Sequence, residues 1–296
     1  MKLQTIVDIK PSEWKIGYED RILMVGSCFS DEIGEQMKQR ALQVTCNPFG
    51  TLYNPLSIAN AINLKSPITN HQSPITNDQS PLVFHDGLWH SMAHHGAFSR
   101  PTKEEAEQAV RESIEAMQRA LGEATVVIVT FGTAWVYEMK DERLKVAGER
   151  IVGNCHKLPE SCFTRRRLSV EEIVAAWQPI LERYPDKHWL FTVSPIRHIK
   201  DGLHENQLSK ATLLLALEQL IANSQEPRAD YFPSYEIVLD ELRDYRFYAD
   251  DLVHPSSLAV NYIWERFVET FCTPQTRNEL ILQHKRWKQA HHIPLH

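Results

Sequence analysis

The chain has 296 residues, of which 43% are hydrophobic and 24% charged, a composition typical of a globular protein. Its formal net charge of −6 argues against nucleic acid as a partner. We find no stretch resembling a signal peptide or a membrane span, which predicts a cytoplasmic protein that does not enter membranes. The five cysteines are irregularly spaced, which favours neither a disulfide framework nor a zinc site.

The first predicted element is a buried strand over residues 22–25, which ends in a sharp turn at Gly26. Two nucleophilic side chains, Ser27 and Cys28, follow the turn, and a helical pattern begins near Asp31. A strand, a glycine turn, a nucleophile and a helix together present a reactive side chain beside the backbone N–H groups of a helix N-terminus.

The segments before the central strand are predicted as a strand at 42–45, a loop at 47–55 and a short helix at 58–64 capped by Ser57. Residues 65–81 contain a repeated Ser-Pro-Ile-Thr-Asn and are predicted to form a surface loop. The histidines of residues 84–98 lack the carboxylate partner of a metal motif, so this segment is interpreted as a loop or hairpin beside the pocket. No metal site and no cofactor are expected.

The clearest helix covers 102–121, with Gly122 as its C-terminal cap, and precedes a central strand at 125–131. Gly132 and Thr133 then lie at the carboxyl end of that strand, where open α/β sheets bind ligands. Residues 136–152 are predicted to include a short hairpin.

Two interpretations stay open for the next polar segments. Asn154 and His156 either contact substrate or form a turn. Arg197 and His198 follow a buried strand at 189–193, and the arginine either binds an anionic substrate group or fixes the following loop.

The remaining predicted elements are mainly helical, with one strand among them. Helices are predicted at 169–184, 205–221 and 257–271, a strand at 235–239, and a surface helix at about 273–291. Alternating buried strands and amphipathic helices predict one domain, 1–296, with a mostly parallel sheet covered on both faces. The segments 65–100 and 135–165 are predicted to be insertions over the carboxyl edge.

Asp251 precedes His254 by three residues, close enough for its carboxylate to bond the imidazole Nδ1 and leave Nε2 facing a nucleophile. A cysteine thiolate paired with a protonated histidine at a helix N-terminus can be stabilised at neutral pH.

The motif Gly26-Ser27-Cys28-Phe29-Ser30 resembles the name-giving motif of the GSCFA-domain family. The loop 47–55, the segment 154–157 and Asp251-x-x-His254 fit the same family pattern, and the resemblance covers residues from about 22 to 267. That family is grouped with the SGNH/GDSL hydrolases. The resemblance therefore implies a flavodoxin-like α/β/α sandwich with an Asp-x-x-His base.

Aligning the motif with Gly-Asp-Ser of the SGNH enzymes places Cys28 at the nucleophile position, with Ser27 as the rival. The resemblance also implies Gly50 as an oxyanion donor, although this glycine could merely shape a turn. Ala134 replaces the asparagine that usually donates to the oxyanion. Thr133, a backbone N–H or Asn154 substitutes for that donor, or the chemistry differs.

Two functions follow from these patterns. The first is an acyl hydrolase or acyltransferase for an acylated small molecule or carbohydrate, with Cys28 as nucleophile, His254 as base and Asp251 orienting His254. The second is an inactive binding module that uses the same cleft. The missing asparagine at Ala134 favours the second, and the intact Asp251 and His254 favour the first. The oligomeric state does not follow from the sequence.

Overall fold

The computed structural model describes residues 4–64, 82–141, 144, 150–224 and 229–291. The predicted loop at 65–81 therefore lies outside the described residues. The strands are β1 (Arg21–Gly26), β2 (Gln43–Cys46), β3 (Leu82–His85), β4 (Leu88–Ser91), β5 (Val126–Phe131), β6 (Trp135–Met139), β7 (Phe163–Arg167), β8 (His188–Val193) and β9 (Ala229–Phe232). The helices are α1 (Cys28–Lys38), α2 (Pro55–Asn63), α3 (Lys103–Glu123), α4 (Val170–Arg183), α5 (Leu203–Ala222), α6 (Ser234–Glu236), α7 (Ser257–Phe271) and α8 (Pro274–Ala290).

A five-stranded parallel sheet in the order β2-β1-β5-β8-β9 forms the centre of the fold. Counted along the chain, this is the 2-1-3-4-5 order of flavodoxin-like sheets. The strand order reverses between β1 and β5. Ligands of such sheets bind outside the carboxyl ends of the strands at this reversal, which here lies just before Cys28 and Gly132.

The two faces of the sheet bury different helices, because successive side chains of a strand point in opposite directions. Leu23 and Val25 belong to the core that contains buried residues of α2, α3, α4 and α5. Ile22 and Met24 belong to the second core, which contains buried residues of α1, α7 and α8. The predicted three-layer α/β/α sandwich is thus confirmed.

Two small antiparallel sheets accompany the main sheet. β3 pairs with β4, which confirms the predicted hairpin among the histidines. β6 pairs with β7, and a single bridge joins Glu138 to Ile151. The hairpin predicted within 136–152 is borne out in part, because the Met139 N–H donates to the Arg150 carbonyl at 2.8 Å and the Val152 N–H to the Tyr137 carbonyl at 3.0 Å. The longer pairing of β6 is with β7, which begins at Phe163.

Local hydrogen bonds correct three further predictions. Asn54, not Ser57, caps α2, because its Oδ1 accepts the Ser57 N–H at 2.8 Å and Pro55 suits the first helical position. Gly122 lies inside α3, which ends at Glu123. Residues 235–239 are helical, because the last strand ends at Phe232, and Pro233 separates it from α6 and a π-helical turn (Ile237–Leu242).

The final helices occur as predicted, at Ser257–Phe271 and Pro274–Ala290. Among the described residues, no helix combines the length and the apolar character needed to cross a membrane.

Trp177 of α4 is among the largest fully buried side chains, and it packs the α4 layer against the sheet. It is 0% exposed, and its ring lies edge-on to Phe131 and Phe191 at centroid distances of 5.2 and 5.4 Å. Its Nε1 donates to the Pro55 carbonyl at 3.0 Å, which joins α4 to the start of α2.

We expect Trp177→Ala to lower the free energy of unfolding by about 3–5 kcal/mol, because the lost contacts leave a cavity. Trp177→Phe keeps much of the packing but leaves the Pro55 carbonyl without its donor, at a cost of about 1–3 kcal/mol. Denaturant titration measures both changes, and Leu282→Ala on exposed α8 serves as the control, within about 0.5 kcal/mol of the wild type. A cost near that of the control for Trp177→Ala would contradict this account of the layer.

Candidate active site

The turn between β1 and α1 depends on a glycine. Gly26 has φ +138°, and a Cβ built there would lie 2.1 Å from the Thr130 carbonyl oxygen. Ser27 donates its N–H to the same oxygen at 3.2 Å. A side chain at position 26 would force β1 and β5 apart, so only glycine lets α1 begin here with Cys28 as its first residue.

The 47–55 loop is bonded directly to this turn. Asn47 Oδ1 accepts the Gly26 N–H at 2.8 Å, and Asn47 Nδ2 donates to Asp31 Oδ1 at 2.9 Å. The Leu52 N–H donates to the Gly26 carbonyl at 3.0 Å. Asp31 and Asn47 thus fix the loop against the first turns of α1.

Asp251 and His254 form the contact predicted from their spacing. Asp251 Oδ2 lies 2.6 Å from His254 Nδ1, and Oδ1 accepts the backbone N–H groups of Val253 and His254 at 2.9 and 3.0 Å. The backbone N–H of His254, its ring and the Val253 N–H, in that order, lower the pKa of Asp251 to about 2. The carboxylate is therefore charged at neutral pH and holds the proton of His254 on Nδ1.

Cys28 completes a chain of three side chains. Its Sγ lies 3.9 Å from His254 Nε2. Because Nδ1 carries the proton, the lone pair of Nε2 faces the thiol. Burial raises the pKa of Cys28, the N–H groups of Cys28 and Phe29 at the helix N-terminus oppose this, and the charge of Asp31 adds to it. Burial therefore opposes the thiolate form that pairing with a protonated histidine can stabilise.

Ser27, the rival nucleophile, lies beneath this chain. It is 1% exposed, and its Oγ has no hydrogen-bond partner among the described residues, His254 included. Its role in the structure is that of the N-cap residue of α1, held by its backbone.

Gly50 has the conformation of a turn residue. Its φ is +72°, its N–H donates to the Asn47 carbonyl at 2.7 Å, and a Cβ would lie 2.4 Å from His95 Cβ. Because its N–H is already bonded, the turn interpretation of Gly50 fits the geometry and the oxyanion interpretation does not.

The backbone N–H groups that follow β5 are also hydrogen-bonded within the protein. The N–H groups of Gly132 and Thr133 both donate to the Tyr53 carbonyl, at 2.8 and 3.0 Å. The Ala134 N–H donates to Ser209 Oγ at 2.8 Å, and Thr133 Oγ1 lies 3.0 Å from the same hydroxyl. This turn is therefore a scaffold for the 47–55 loop and α5, with no open oxyanion donor of its own.

Asn154 and His156 are held in a packed histidine cluster. Asn154 Oδ1 accepts the His156 N–H at 2.8 Å, and His156 Nε2 lies 2.7 Å from the Ser91 carbonyl. The His156 ring stacks on His90 at 4.6 Å, and burial lowers its pKa to about 4. These contacts support the turn interpretation. Among the described residues, no group of three or more His, Cys, Asp and Glu side chains could hold a metal ion.

Arg197 fixes the loop that carries Asp251 and His254. Its Nε donates to the Leu252 carbonyl at 3.0 Å, and its backbone N–H donates to the Val253 carbonyl at 3.2 Å. The guanidinium also lies 4.6 Å from the centre of the Tyr248 ring. The loop-fixing interpretation of Arg197 is thus the one the contacts support, although the partner is a carbonyl and not an acid.

His198 lies between the triad and the sheet. Burial lowers its pKa to about 4, as do the charges of Lys210 and His254, and a hydrogen bond to the Gly132 backbone opposes them. Its Nε2 is buried and has no hydrogen-bond partner among the described residues. The lowered pKa favours the neutral ring.

Two residues at this site were not assigned a role from the sequence. Burial and the charge of Cys28 raise the pKa of Tyr53, and its ring lies edge-on to His198 with the ring centroids 5.9 Å apart. Lys210 is buried under the same edge. It shares the helical stripe of Leu213, Leu217 and Leu220, and a lysine on an apolar stripe is the signal that could have revealed it.

The pKa of Asp251 tests the geometry of the turn. We expect His254→Ala to raise it from about 2 toward its ordinary value of 3.8 without reaching it, because the two backbone N–H bonds remain. Carboxyl carbon NMR titration measures the shift. In the wild type the carboxylate contacts stabilise the turn above the ordinary pKa and are lost as the pH falls through the folded value. An unchanged Asp251 pKa in His254→Ala would show that the two side chains do not interact.

The chain was compared with protein families, curated proteins and solved structures. No curated protein and no solved structure matches it at a significant level. The model of the GSCFA family matches residues 21–267, which includes the Cys28 turn, the 47–55 loop and the Asp251–His254 turn. This match covers most of the chain, and the chain therefore belongs to the GSCFA family.

Proposed function

We propose that this protein is an acyl hydrolase or acyltransferase of the SGNH type, with Cys28 as the nucleophile. The observation that carries the proposal is the unbroken chain from Asp251 through His254 to Cys28, with distances of 2.6 and 3.9 Å. Its position at the strand-order reversal of a 2-1-3-4-5 sheet supports the proposal, since this is where such sheets bind ligands. The proposed substrate is an ester-type acylated small molecule or carbohydrate.

The proposed reaction begins with the neutral thiol. Cys28 Sγ attacks the carbonyl carbon while its proton passes to His254 Nε2, and the Asp251 carboxylate stabilises the resulting imidazolium. The tetrahedral intermediate collapses to a thioester on Cys28, and His254 returns the proton to the departing alcohol. Water or a second acceptor then attacks the thioester, with His254 again taking the proton, and the acyl group leaves as acid or as a new ester.

The oxyanion contacts are proposed to come from two sources. The first is the phenol of Tyr53, whose pKa is raised by burial and by the charge of Cys28, which supports a position near Cys28. The N–H groups of Cys28 and Phe29 lie at the first turn of α1, where helix N–H groups lack intrahelical acceptors. Because the N–H groups of Gly50 and Gly132 are bonded elsewhere, Tyr53 is the best candidate to replace the donor missing at Ala134.

His198 is proposed to select the substrate. Its Nε2 is buried and has no hydrogen-bond partner among the described residues, so a substrate polar group that reaches it would satisfy it. Sites built to accept such a group discriminate strongly against analogues that lack it. A hydroxylated acyl donor, such as a carbohydrate ester, fits this requirement.

The alternative is a binding module without turnover. Two observations favour it: the N–H groups after β5 are occupied, and burial raises the pKa of the Cys28 thiol. In that case Cys28 should react with iodoacetamide no faster than the half-buried Cys46 or the buried Cys272, and His254→Ala should not change its rate. A catalytic Cys28 should react faster than both and lose this advantage in His254→Ala.

Intact-mass analysis of protein quenched during turnover of activated acyl esters tests the nucleophile. We expect the acyl adduct on Cys28, most activity lost in Cys28→Ser, and a measurable fraction kept in Ser27→Ala. The serine hydroxyl needs stronger base assistance than a thiol, whereas Ser27→Ala removes a side chain that makes no cap bond. An adduct on Ser27, or full activity in Cys28→Ala, would refute the cysteine assignment.

Tyr53→Phe tests the oxyanion contact. We expect kcat to fall about a hundred-fold to a thousand-fold, as for removal of one oxyanion donor, with a smaller change in KM. The Tyr53 carbonyl, which bonds Gly132 and Thr133, is unaffected by this substitution. Tyr248→Phe, at a ring that stacks on Arg197, is the matched control and should keep its kcat. Equal kcat values for the two variants would exclude Tyr53 as the donor.

A further inference from the structure

Lys210 of α5 is a fully buried lysine under the candidate active site. It is 1% exposed, and its Nζ donates to the Gly132 and Ser194 carbonyls, at 2.7 Å each. These carbonyls lie at the carboxyl ends of β5 and β8, so the ammonium joins the two strands just below the site. Its Nζ also lies 5.6 Å from the centre of the Tyr235 ring.

The charge of this ammonium has no fixed counterion. Within the described part of the chain, no carboxylate forms an ion pair with Lys210, and carbonyl dipoles compensate only part of a buried charge. The titratable groups around it are Cys28 on α1, His198 after β8 and Tyr235 on α6, with His254 next to His198. Of these groups, His198 is neutral, and Cys28 is the one that becomes an anion in the proposed reaction.

We propose that Lys210 is a positioning residue whose buried ammonium stabilises negative charge at Cys28, both on the thiolate and on the tetrahedral intermediate. This inference rests on the proposed function, and it names the source of the positive charge that the exposed triad lacks. Burial lowers the pKa of Lys210 to about 7, and the charge of Cys28 raises it. Gly132, whose carbonyl accepts from Nζ, lies against the residue before Cys28, because a Cβ built on Gly132 would lie 3.4 Å from Ser27 Cβ. Since electrostatic coupling acts in both directions, we expect the ammonium to favour the anionic form of Cys28.

Because Lys210 is buried, its charge should influence Cys28 more strongly than a surface charge at a similar distance would. Water screens a charge at the surface, but a buried ammonium interacts with a nearby anion through a medium of lower effective dielectric constant. Because the two carbonyls fix Nζ in advance, little reorganisation is required when the negative charge forms.

The first test places two adducts on Cys28 that differ mainly in charge. Iodoacetate adds a carboxymethyl group with one negative charge, and iodoacetamide adds a neutral group of similar size. The ε-carbon NMR signal of Lys210 then reports its pKa in each adduct. We expect a pKa about one unit higher in the carboxymethyl protein, equivalent to a tenfold change in the protonation equilibrium. Equal pKa values in the two adducts would overturn the proposal without the need for any variant.

The second test separates charge from hydrogen bonding. Lys210→Gln keeps an N–H donor but not the charge, and Lys210→Met removes both. We expect both variants to alkylate at Cys28 about tenfold more slowly than the wild type at about pH 6, where Lys210 is charged. This difference should shrink toward about pH 9, where the lysine is neutral in the wild type. A normal rate in Lys210→Gln would show that Lys210 acts only through its hydrogen bonds.

Lys187 provides the matched control. It is 3% exposed, and its Nζ donates to the Ala124 carbonyl at 2.9 Å, near the opposite, amino-terminal ends of β5 and β8. Lys187→Met should therefore leave the alkylation rate of Cys28 unchanged at each pH. A wild type that shows the charge effect but forms no acyl adduct would refute the proposed function alone. Acylation without the charge effect would refute the role of Lys210 alone.

Discussion

The close approach of Gly26 to the Thr130 carbonyl is the constraint on which the site depends. No side chain fits between β1 and β5 at this point, so the chain turns at once and α1 begins at Cys28. The same turn offers the Gly26 N–H and carbonyl to the 47–55 loop. That loop then bonds the end of β5 through the Tyr53 carbonyl. The absence of a side chain at position 26 thus sets the positions of Cys28, the loop and the strand end together.

The polar groups of the site form two layers that differ in their exposure to water. Asp251 and His254 have half-exposed side chains, at 49% and 50%, on a loop that Arg197 holds through the Leu252 carbonyl. Interactions between such exposed groups are weakened by water. Beneath them, Lys210 is buried beside the neutral ring of His198, and the charge of Lys210 acts at a lower effective dielectric constant. The upper layer moves protons in the proposed reaction, and the lower layer supplies the electrostatic environment.

Several polar groups that could bind a ligand instead hold the site together. The Gly50 N–H closes a turn, the Thr133 hydroxyl binds α5, and His156 packs on His90. Each of these groups is satisfied by the protein, and a buried polar group that is already paired has little to offer a ligand. The unpaired groups are therefore the informative ones, and among the described residues these include His198 Nε2 and Ser27 Oγ.

The sequence by itself determined the layered α/β fold, the glycine turn after β1 and the spacing of Asp251 and His254, because their signals are local. Alternating apolar strands and amphipathic helices, a glycine after a strand, and a carboxylate three residues before an imidazole are readable without long-range contacts. Only the tertiary structure decided which donors are free, because the Gly132 N–H finds its acceptor at Tyr53 and the Ala134 N–H finds its acceptor at Ser209. The tertiary structure also shows that the apolar stripe of α5 buries Lys210 under Cys28. The sequence could not show this, because burial and charge coupling depend on neighbours that are distant in the sequence.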